Sequence, residues 1–322
     1  MATLSNIISL IFPFFGIIFM GFIAAKIIPH PESGLKWMNI FIIYFALPAM
    51  FFKLISQTPF EELQNWPFII ATTLATLTIF AVSFLYGMAK NGGKMDVAAI
   101  QAVGGAYGNI GYMAPGLTLT AFGPLASVPT ALIFCFDNSV HFTLVPLFVA
   151  IGRGEKRKII LLFAHILKKI LLHPFILATI IGVMGAYFQI KLPDAGENIL
   201  NALAGAAAPC ALFVMGVTVS LRSIKRITAD VPVLVFIKLI LHPFIMLIFL
   251  SLFGPFDEIW VYTAILIAAL PQALNVFVLA QQYNIFVERA SSIILIGTIG
   301  SIFTLTILLY LIKSGHVPIS LF

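Results

Sequence analysis

The chain has 322 residues, of which 61% are hydrophobic and only 9% are Asp, Glu, Lys or Arg. Soluble globular domains average about 25% charged residues, so this composition excludes an ordinary soluble protein and predicts one that lies in a membrane. The formal net charge of +6 does not indicate nucleic-acid binding, because the basic residues fall in short segments between apolar runs, where they set membrane topology.

A helix needs about 20 apolar residues to cross the hydrocarbon layer of a bilayer, and runs of that kind predict ten transmembrane helices. They lie near residues 7–28, 37–55, 66–88, 97–122, 125–151, 170–190, 199–221, 231–253, 259–283 and 290–312. The first run is too long for a cleaved signal peptide, and no basic residue precedes it. We therefore expect an all-α polytopic membrane protein.

An internal repeat relates the two halves of the chain. A displacement of 161 positions brings Pro13 onto Pro174 and Gly21 onto Gly182. Matching prolines and glycines at one displacement indicate a duplication. Because five is an odd number, two copies of five helices must enter the bilayer from opposite faces, which is the inverted repeat of many secondary transporters.

The distribution of basic residues predicts the orientation of the chain. Most of the 18 Lys and Arg residues fall on one side of the ten predicted helices, which we assign to the cytoplasm. Both termini are then outside. The predicted domains are a first five-helix repeat over residues 1–151, a cytoplasmic linker over residues 152–158, and a second, inverted five-helix repeat over residues 159–322.

The fourth predicted helix contains an unusual concentration of glycine. Five glycines and Pro115 fall within residues 104–116, and in a helix interior Gly costs about 1 kcal/mol and Pro about 3 kcal/mol. We expect this helix to break, which a membrane tolerates only where protein or a wet cavity surrounds the break. The alternative is that Gly104 and Gly108 allow two helices to pack closely.

The ninth predicted helix has a corresponding interruption. Pro271 frees carbonyl groups one turn earlier, and Gln272 and Asn275 would lie on one face of a helix. Paired interruptions in the two halves of a transporter indicate a central binding site. The alternative for the two amides is a hydrogen bond between helices, of about 0.6–2 kcal/mol.

Residues 108–113, Gly-Asn-Ile-Gly-Tyr-Met, resemble the hallmark motif of the auxin efflux carrier family in its bacterial form. Residues 47–49, 207–213 and 269–271 are similar to further parts of the family pattern, so the resemblance covers nearly the whole chain. Pro115 lies one residue earlier than the family pattern places its proline.

The resemblance implies a ten-helix carrier related in fold to bile-acid symporters and sodium/proton antiporters, with helices four and nine crossing at their breaks. It implies organic anions as substrates, because bacterial members resemble malonate or malate carriers, and it implies a homodimer in the bacterial inner membrane. Pro48 and Pro209 would shape the neighbouring helices. The predicted substrate-binding residues are Gly108, Asn109, Gly111, Tyr112, Pro115, Pro271, Gln272 and Asn275.

Ionisable residues inside predicted helices suggest how transport is coupled. Asp137 and His141 lie one turn apart in the fifth helix, and a carboxylate there costs about 2.5–3.5 kcal/mol without a partner. Either the carboxyl group exchanges protons during transport, or the two residues form a static pair. Lys238 is expected to extend to the cytoplasmic surface, with an anion contact as the alternative, and His242 to start a helix at the membrane interface.

The sequence favours a secondary carrier over the other classes of membrane protein. It contains no His-Glu-x-x-His zinc motif, no Gly-x-Ser-x-Gly elbow and no Gly-x-x-x-x-Gly-Lys phosphate loop, so we predict no enzyme, no cofactor and no bound metal. The coupling ion, H⁺ or Na⁺, stays open. The alternative function is a broken-helix anion channel or a membrane sensor.

Overall fold

A computed structural model describes residues 4–28, 32–154, 168, 172, 174–221 and 228–321. Within these residues all regular secondary structure is helical, apart from one isolated pair of bridged residues. The helices of the first half are α1 (Leu4–Ile27), α2 (Glu32–Phe41), α3 (Leu47–Ser56), α4 (Trp66–Lys90), α5 (Met95–Ala106), α6 (Ala114–Phe122) and α7 (Ser127–Gly152). Residues 29–31 and 155–158 lie outside the described part of the chain.

The helices of the second half are α8 (Pro174–Tyr187), α9 (Asp194–Ser220), α10 (Asp230–Phe236), α11 (His242–Phe253), α12 (Glu258–Ala268), α13 (Asn275–Tyr283) and α14 (Val287–Lys313). Short π-helical segments, Ile42–Ala46 and Ile237–Leu241, join α2 to α3 and α10 to α11. Single 3₁₀ turns lie at Phe60–Gln64 and Pro124–Ala126.

Six helical stretches of the described chain are long and apolar enough to cross a membrane, as judged by length and composition. They are Gly34–Ser56, Trp66–Lys90, Pro124–Gly152, Asp194–Ser220, Asp230–Phe253 and Val287–Lys313. Shorter apolar helices cover Ile11–Ile27, Ile176–Tyr187 and Glu258–Ala268. The protein is therefore an integral membrane protein whose described part is helical.

The helices pack in two groups. In the first group, α1 and α3 pack against α8 and α9; in the second, α4, α5, α7, α11 and α12 pack together. Glycines bring α1 and α9 into backbone contact, because a Cβ atom on Gly21 would lie 2.1 Å from the Phe213 carbonyl oxygen and one on Gly216 would lie 1.9 Å from that of Ile18. Such small-residue contacts replace the hydrophobic effect as the source of helix association in a membrane.

Two helical rods are interrupted, as the glycines and prolines predict. The first interruption separates α5 from α6 over residues 107–113, and the second separates α12 from α13 over residues 269–274. Pro115 lies in the first turn of α6, where a proline lacks only an amide that has no helical partner. Both interruptions lie in the interior, so their backbone groups need partners from the protein.

Candidate functional site

The two interruptions lie against each other and satisfy each other's backbone. The backbone N–H of Asn109 donates to the Pro271 carbonyl at 2.7 Å, and the backbone N–H of Ala273 donates to the Tyr107 carbonyl at 3.0 Å. Gly108 and Gln272 therefore form a short antiparallel bridge. We call this junction, residues 107–113 against residues 269–274, the crossover.

Gly108 is needed where the two backbones meet. A Cβ atom at this position would lie 3.0 Å from Lys238 Cε, 3.1 Å from Lys238 Nζ and 3.6 Å from the Ile267 carbonyl oxygen. The first two distances are shorter than ordinary carbon contacts. Any larger residue would have to displace the lysine side chain.

A cavity of about 590 Å³, measured with the space that opens to its outside, borders one face of the crossover. Its lining residues are uncharged: Ile43, Leu47, Tyr107, Gly108, Asn109, Gly111, Tyr112, Phe134, Asn138, Phe142, Ala273, Leu274 and Asn275.

Polar side chains in the cavity wall form a connected set. Asn275 Nδ2 donates to the Tyr107 hydroxyl at 3.0 Å, and that hydroxyl donates to Asn138 Oδ1. The Asn138 amide nitrogen is itself held by the Phe134 carbonyl at 2.8 Å. These bonds fix the orientation of three side chains from both halves of the chain, which gives the wall a defined pattern of donors and acceptors.

Two predicted site residues reach from the crossover to the other helix group. The Tyr112 hydroxyl donates to Asn39 Oδ1 at 3.0 Å, and Asn109 Nδ2 contacts Met215 Sδ at 2.9 Å. Asn39 belongs to α2, which packs against α9 of the first group, and Met215 belongs to α9 itself. The cavity therefore lies between the two helix groups, so a relative movement of the groups would change its shape and its access.

The structure brings Gly108, Asn109, Gly111, Tyr112 and Asn275 to the cavity wall, but three of the predicted substrate-binding residues do not line it. Pro115 is buried in the first turn of α6, and Pro271 contributes its carbonyl to the crossover.

Gln272 is fully buried and lies away from the cavity. Its Nε2 donates to the Leu234 carbonyl at 3.5 Å, and its Oε1 faces Gly297. The expectation that Gln272 and Asn275 share one helix face is wrong, because residues 269–274 are not helical and the three-residue spacing loses its meaning there.

The two prolines predicted to shape neighbouring helices lie in the first helix group. Pro48 occupies the first turn of α3, directly after the π-helical segment Ile42–Ala46. Pro209 lies inside α9, where it removes one helical amide donor.

Asp137 and His141 lie behind the crossover, inside α7. Asp137 is 4% exposed, and its carboxylate accepts a hydrogen bond from the Thr76 hydroxyl at 2.9 Å. His141 Nδ1 lies 2.7 Å from the Asp137 backbone carbonyl, which can only accept, so Nδ1 is the protonated nitrogen. The hydrogen-bond partner of the carboxylate is therefore a threonine of α4, and His141 bonds to the main chain instead.

The expected position of Lys238 at the cytoplasmic surface is wrong. The side chain is 0% exposed, and Nζ donates to the carbonyl of Ala268, the last residue of α12. A cation is stabilised there because the terminal carbonyls of a helix carry partial negative charge. The interruption at Pro271 supplies this carbonyl, which retains the lysine in the interior.

The expected interfacial position of His242 is also wrong. This histidine does begin helix α11, but it is only 1% exposed, and its Nδ1 lies 3.1 Å from Lys238 Nζ. His173, which precedes Pro-Phe in a similar run and carries the same expectation, lies outside the described residues. Asp137, His141, Lys238 and His242 form a buried group that we call the charged cluster.

The cavity and the charged cluster meet at one aromatic ring. The ring of Tyr107 stacks on that of His141 with centroids 4.4 Å apart and an interplanar angle of 17°. Tyr107 was not among the predicted site residues, although it directly precedes the Gly-Asn-Ile-Gly-Tyr motif. Asn138 was also not predicted as a wall residue, because nothing in a single sequence reveals which face of α7 meets the crossover.

Within the described residues, no group of three or more His, Cys, Asp or Glu side chains has the arrangement of a metal site. The amides and hydroxyls of the cavity wall are suited instead to hydrogen bonding with a small polar solute.

Comparison with known proteins gives the chain a family context. A family model described as "Membrane transport protein" matches residues 6–309. A protein of Rhizobium meliloti (strain 1021) named "Putative malonate transporter" is 49% identical over 99% of this chain and 100% of its own length. An "Uncharacterized transporter" of Methanothermobacter thermautotrophicus is 24% identical over 90% of this chain and 93% of its own length.

A more distant similarity extends to animals. The mouse "Lysosomal cholesterol signaling protein" is 23% identical over 89% of this chain, which corresponds to 35% of the mouse protein. The similarity thus spans nearly the whole of this chain in proteins from three kinds of organism.

Proposed function

The chain belongs to the membrane transport protein family, which is the auxin efflux carrier family that its motifs resemble, and on this premise we propose that it is a secondary transporter of small organic anions, carboxylates or dicarboxylates, that works by alternating access. One observation carries this proposal: two interrupted helices, one from each half of the chain, pair through their backbones and form the wall of a cavity. This is the arrangement of substrate sites in many secondary transporters.

The proposal includes ten transmembrane helices in two inverted repeats, over residues 1–151 and 159–322, with residues 152–158 as a cytoplasmic linker. The interruptions support it, because α6 begins at Ala114 and α13 begins at Asn275, which are 161 positions apart. This is the displacement of the sequence repeat.

Contacts between helices support the same symmetry. A Cβ atom on Gly21 would meet the carbonyl oxygen of Phe213, and one on Gly182 would meet that of Phe52. Gly21 and Gly182 are equivalent in the repeat, and so are Phe52 and Phe213. The two halves thus exchange equivalent contacts, which is what a two-fold relation between inverted repeats requires.

The chemistry of the cavity favours an anion. Helices α6 and α13 begin at the crossover, and the N-terminal end of a helix carries partial positive charge and free amide donors. Asn109, Tyr112 and Asn275 add side-chain donors beside these ends. The name of the Rhizobium relative makes malonate the first substrate to test.

Coupling to protons through Asp137 is the energy source that we propose, with the membrane potential as the alternative. A buried carboxyl group inside a membrane helix is costly and is by default a functional candidate. Asp137 lies one residue from Asn138, which lines the cavity. We further propose a homodimer in a bacterial inner membrane with both termini outside, on the basis of the family and of the basic residues.

Uptake and counterflow in proteoliposomes test this function. The purified protein is offered malonate and a panel of other mono- and dicarboxylates under imposed pH and sodium gradients. We expect saturable, counterflow-competent transport of at least one carboxylate. Transport of none of them contradicts the proposal, and an electrical flux far above the roughly 10³ per second of typical catalytic turnover identifies a channel.

Variants of the cavity wall locate the site. Asn109→Ala and Asn275→Ala each remove hydrogen-bond donors from the wall, so we expect roughly tenfold weaker apparent affinity, in line with the loss of about 1–1.5 kcal/mol of hydrogen bonding. Asn201→Ala, at an exposed position of α9, is the matched control. Equal transport by the site variants and the control would place the substrate elsewhere.

The coupling has its own test. Asp137→Asn removes the titratable group, so we expect it to lose accumulation driven by a pH gradient while it still supports counterflow. Accumulation at the wild-type level would remove Asp137 from the coupling mechanism.

A further inference from the structure

The proposed substrate is negatively charged, yet the described residues that line the cavity include no Lys, Arg or His. At the backbone bridge the cavity is lined by Gly108, which contributes no side chain to the wall. Lys238 lies directly behind this glycine, with its Nζ 3.1 Å from the position of a Cβ atom there. A glycine at this point leaves the field of the ammonium group unobstructed toward the cavity.

The ammonium group is held in place from the other side. Nζ donates to the Ala268 carbonyl at the C-terminal end of α12 and lies 3.1 Å from His242 Nδ1. The helix end stabilises a positive charge independently of any carboxylate. In a buried environment of low dielectric constant, this charge acts on neighbouring groups much more strongly than it would in water.

Asp137 is the negative group that acts on the same ammonium. The Tyr107 ring stacks on His141, one turn after Asp137, and the next residue, Gly108, lies against Lys238. Asp137 and Lys238 are thus both buried beside the same stretch of the crossover, where opposite charges act strongly on each other. Of the other titratable groups near Asp137, His141 of its own helix bonds to its backbone carbonyl, Tyr107 of the crossover stacks on His141, and His242 faces Lys238. From α4, Thr76 offers an uncharged hydroxyl to the carboxylate.

We infer that Lys238 is the charge partner of the transported anion and that the Asp137 carboxylate competes with the anion for it, so that one proton enters the site with each anion. This inference rests on the proposed function and specifies its coupling step. A hydronium ion on the aqueous side transfers its proton to the carboxylate and becomes water, so that one O–H bond breaks, one forms, and no other bond changes.

The competition has a reciprocal consequence. With Asp137 neutral, the ammonium is no longer compensated within the protein, and the repulsion between carboxylate and anion disappears. Proton and anion then each favour the binding of the other by the same factor, which is a general property of linked binding. A single substituted residue that breaks the link therefore removes the part of the pH dependence of anion binding that comes from Asp137.

Titration calorimetry of the full-length protein in detergent, with malonate as the probe, measures this link. The measurements run from about pH 7 to about pH 9, where both malonate carboxyl groups are ionised because ordinary carboxylic acids titrate near pH 4. We expect wild-type affinity to fall as pH rises. We expect the Asp137→Asn variant to bind malonate more tightly than the wild type at about pH 9 and to lose the part of the pH dependence that Asp137 contributes.

Removal of the positive charge is the decisive comparison. We expect the double variant Asp137→Asn/Lys238→Met to bind malonate about 5- to 150-fold more weakly than Asp137→Asn alone, which is the usual range of coupling between sites. The double variant leaves no unpaired buried charge, so it keeps the test independent of misfolding. Lys90→Met, at an exposed position at the end of α4, is the matched control and should match the wild type.

Substitutions of the two glycines that line the cavity, Gly108 and Gly111, give an independent comparison. Gly108→Ala places a methyl group against Lys238, whereas a Cβ atom on Gly111 would only meet Phe134 Cε2 at 3.5 Å, an ordinary contact in the same cavity. We expect Gly108→Ala to weaken malonate binding several-fold more than Gly111→Ala. Equal effects of the two substitutions would contradict a role for Lys238.

Other outcomes separate this inference from the function on which it rests. If the wild type binds and transports malonate, but the double variant binds it as tightly as Asp137→Asn, the inference is overturned and the transport function remains. If the wild type transports no carboxylate in the panel, the proposed function itself fails.

Discussion

The crossover has two faces of contrasting chemistry. One face borders an open cavity whose lining side chains are uncharged, with Asn109, Tyr112 and Asn275 as its polar members. The other face borders the charged cluster, in which Asp137 and Lys238 are at most 4% exposed. Charged groups are the more costly to bury, yet in this protein they lie in the dry interior while neutral groups line the space open to solute.

This contrast assigns separate tasks to the two faces. The neutral groups of the cavity wall can form hydrogen bonds with a solute directly, whereas Lys238 acts on it only across the backbone at Gly108. A buried pair of opposite charges can instead respond to a proton. The single layer of backbone at Gly108 keeps the two faces close enough to influence each other.

The largest effect on stability is expected when one charge of the charged cluster is removed and the other is left without its partner. Lys238→Ala leaves the Asp137 carboxylate uncompensated and the Ala268 carbonyl without its donor, so we expect the protein to lose about 3–5 kcal/mol of stability. Thermal unfolding in detergent measures the change.

Two further variants test whether the lost charge is the cause of the lower stability of Lys238→Ala. Lys90→Ala, at an exposed position, should unfold at the wild-type temperature. The double variant Asp137→Asn/Lys238→Met should recover most of the loss, because a neutral pair needs no compensation. A Lys238→Ala protein as stable as the wild type would show that the cluster carries no buried charge.

A milder disturbance acts on the packing behind the second interruption. A Cβ atom on Gly297 would lie 1.8 Å from Gln272 Oε1, so Gly297→Ala must displace a buried amide, at a cost of about 1–3 kcal/mol. Gly205→Ala in α9 is the control, since no atom lies within 4 Å of a Cβ atom there, and it should stabilise the protein by about 0.4–1 kcal/mol.

Unfolding in detergent compares the two alanine variants. If both substitutions changed the stability in the same direction, Gln272 would not be held tightly against α14. The packing of the crossover would then differ from that described above.

The smallest expected effect concerns the cavity face itself. Tyr112→Phe removes the hydrogen bond to Asn39 across the two helix groups, which is worth about 0.5–1.5 kcal/mol. A double-mutant cycle with Asn39→Ala, read out as the rate of malonate counterflow, should show that the two single effects do not add. Additive effects would mean that this bond does not link the two groups during transport.

Local sequence signals found the interruptions because their causes are local. Glycine and proline raise the cost of a helix wherever they occur, and α5 and α12 end close to the residues that carry these signals, Gly108 and Pro271. The membrane class followed from composition in the same way. The wall residues within the Gly-Asn-Ile-Gly-Tyr motif could be proposed because the motif and the interruption coincide.

The wrong predictions concern side chains that could lie in either of two environments, between which the sequence does not distinguish. Lys238 has a stem long enough to reach the membrane surface, but the structure offers its ammonium the carbonyl end of α12, which lies 30 positions away in the chain. Gln272 and Asn275 were placed on one face by helical spacing, and the interruption itself removed the helix that this spacing assumes.

The sequence by itself determined that the protein lies in a membrane, where its helices break, and which family it belongs to, because composition, helix cost and motif are properties of short segments. Only the tertiary structure decided that the two breaks bond to each other, that Asn138 and Tyr107 join the cavity wall, and that Lys238 lies behind Gly108. Those facts depend on contacts between residues far apart in the chain, where packing and the need to satisfy buried polar groups select one neighbour among many.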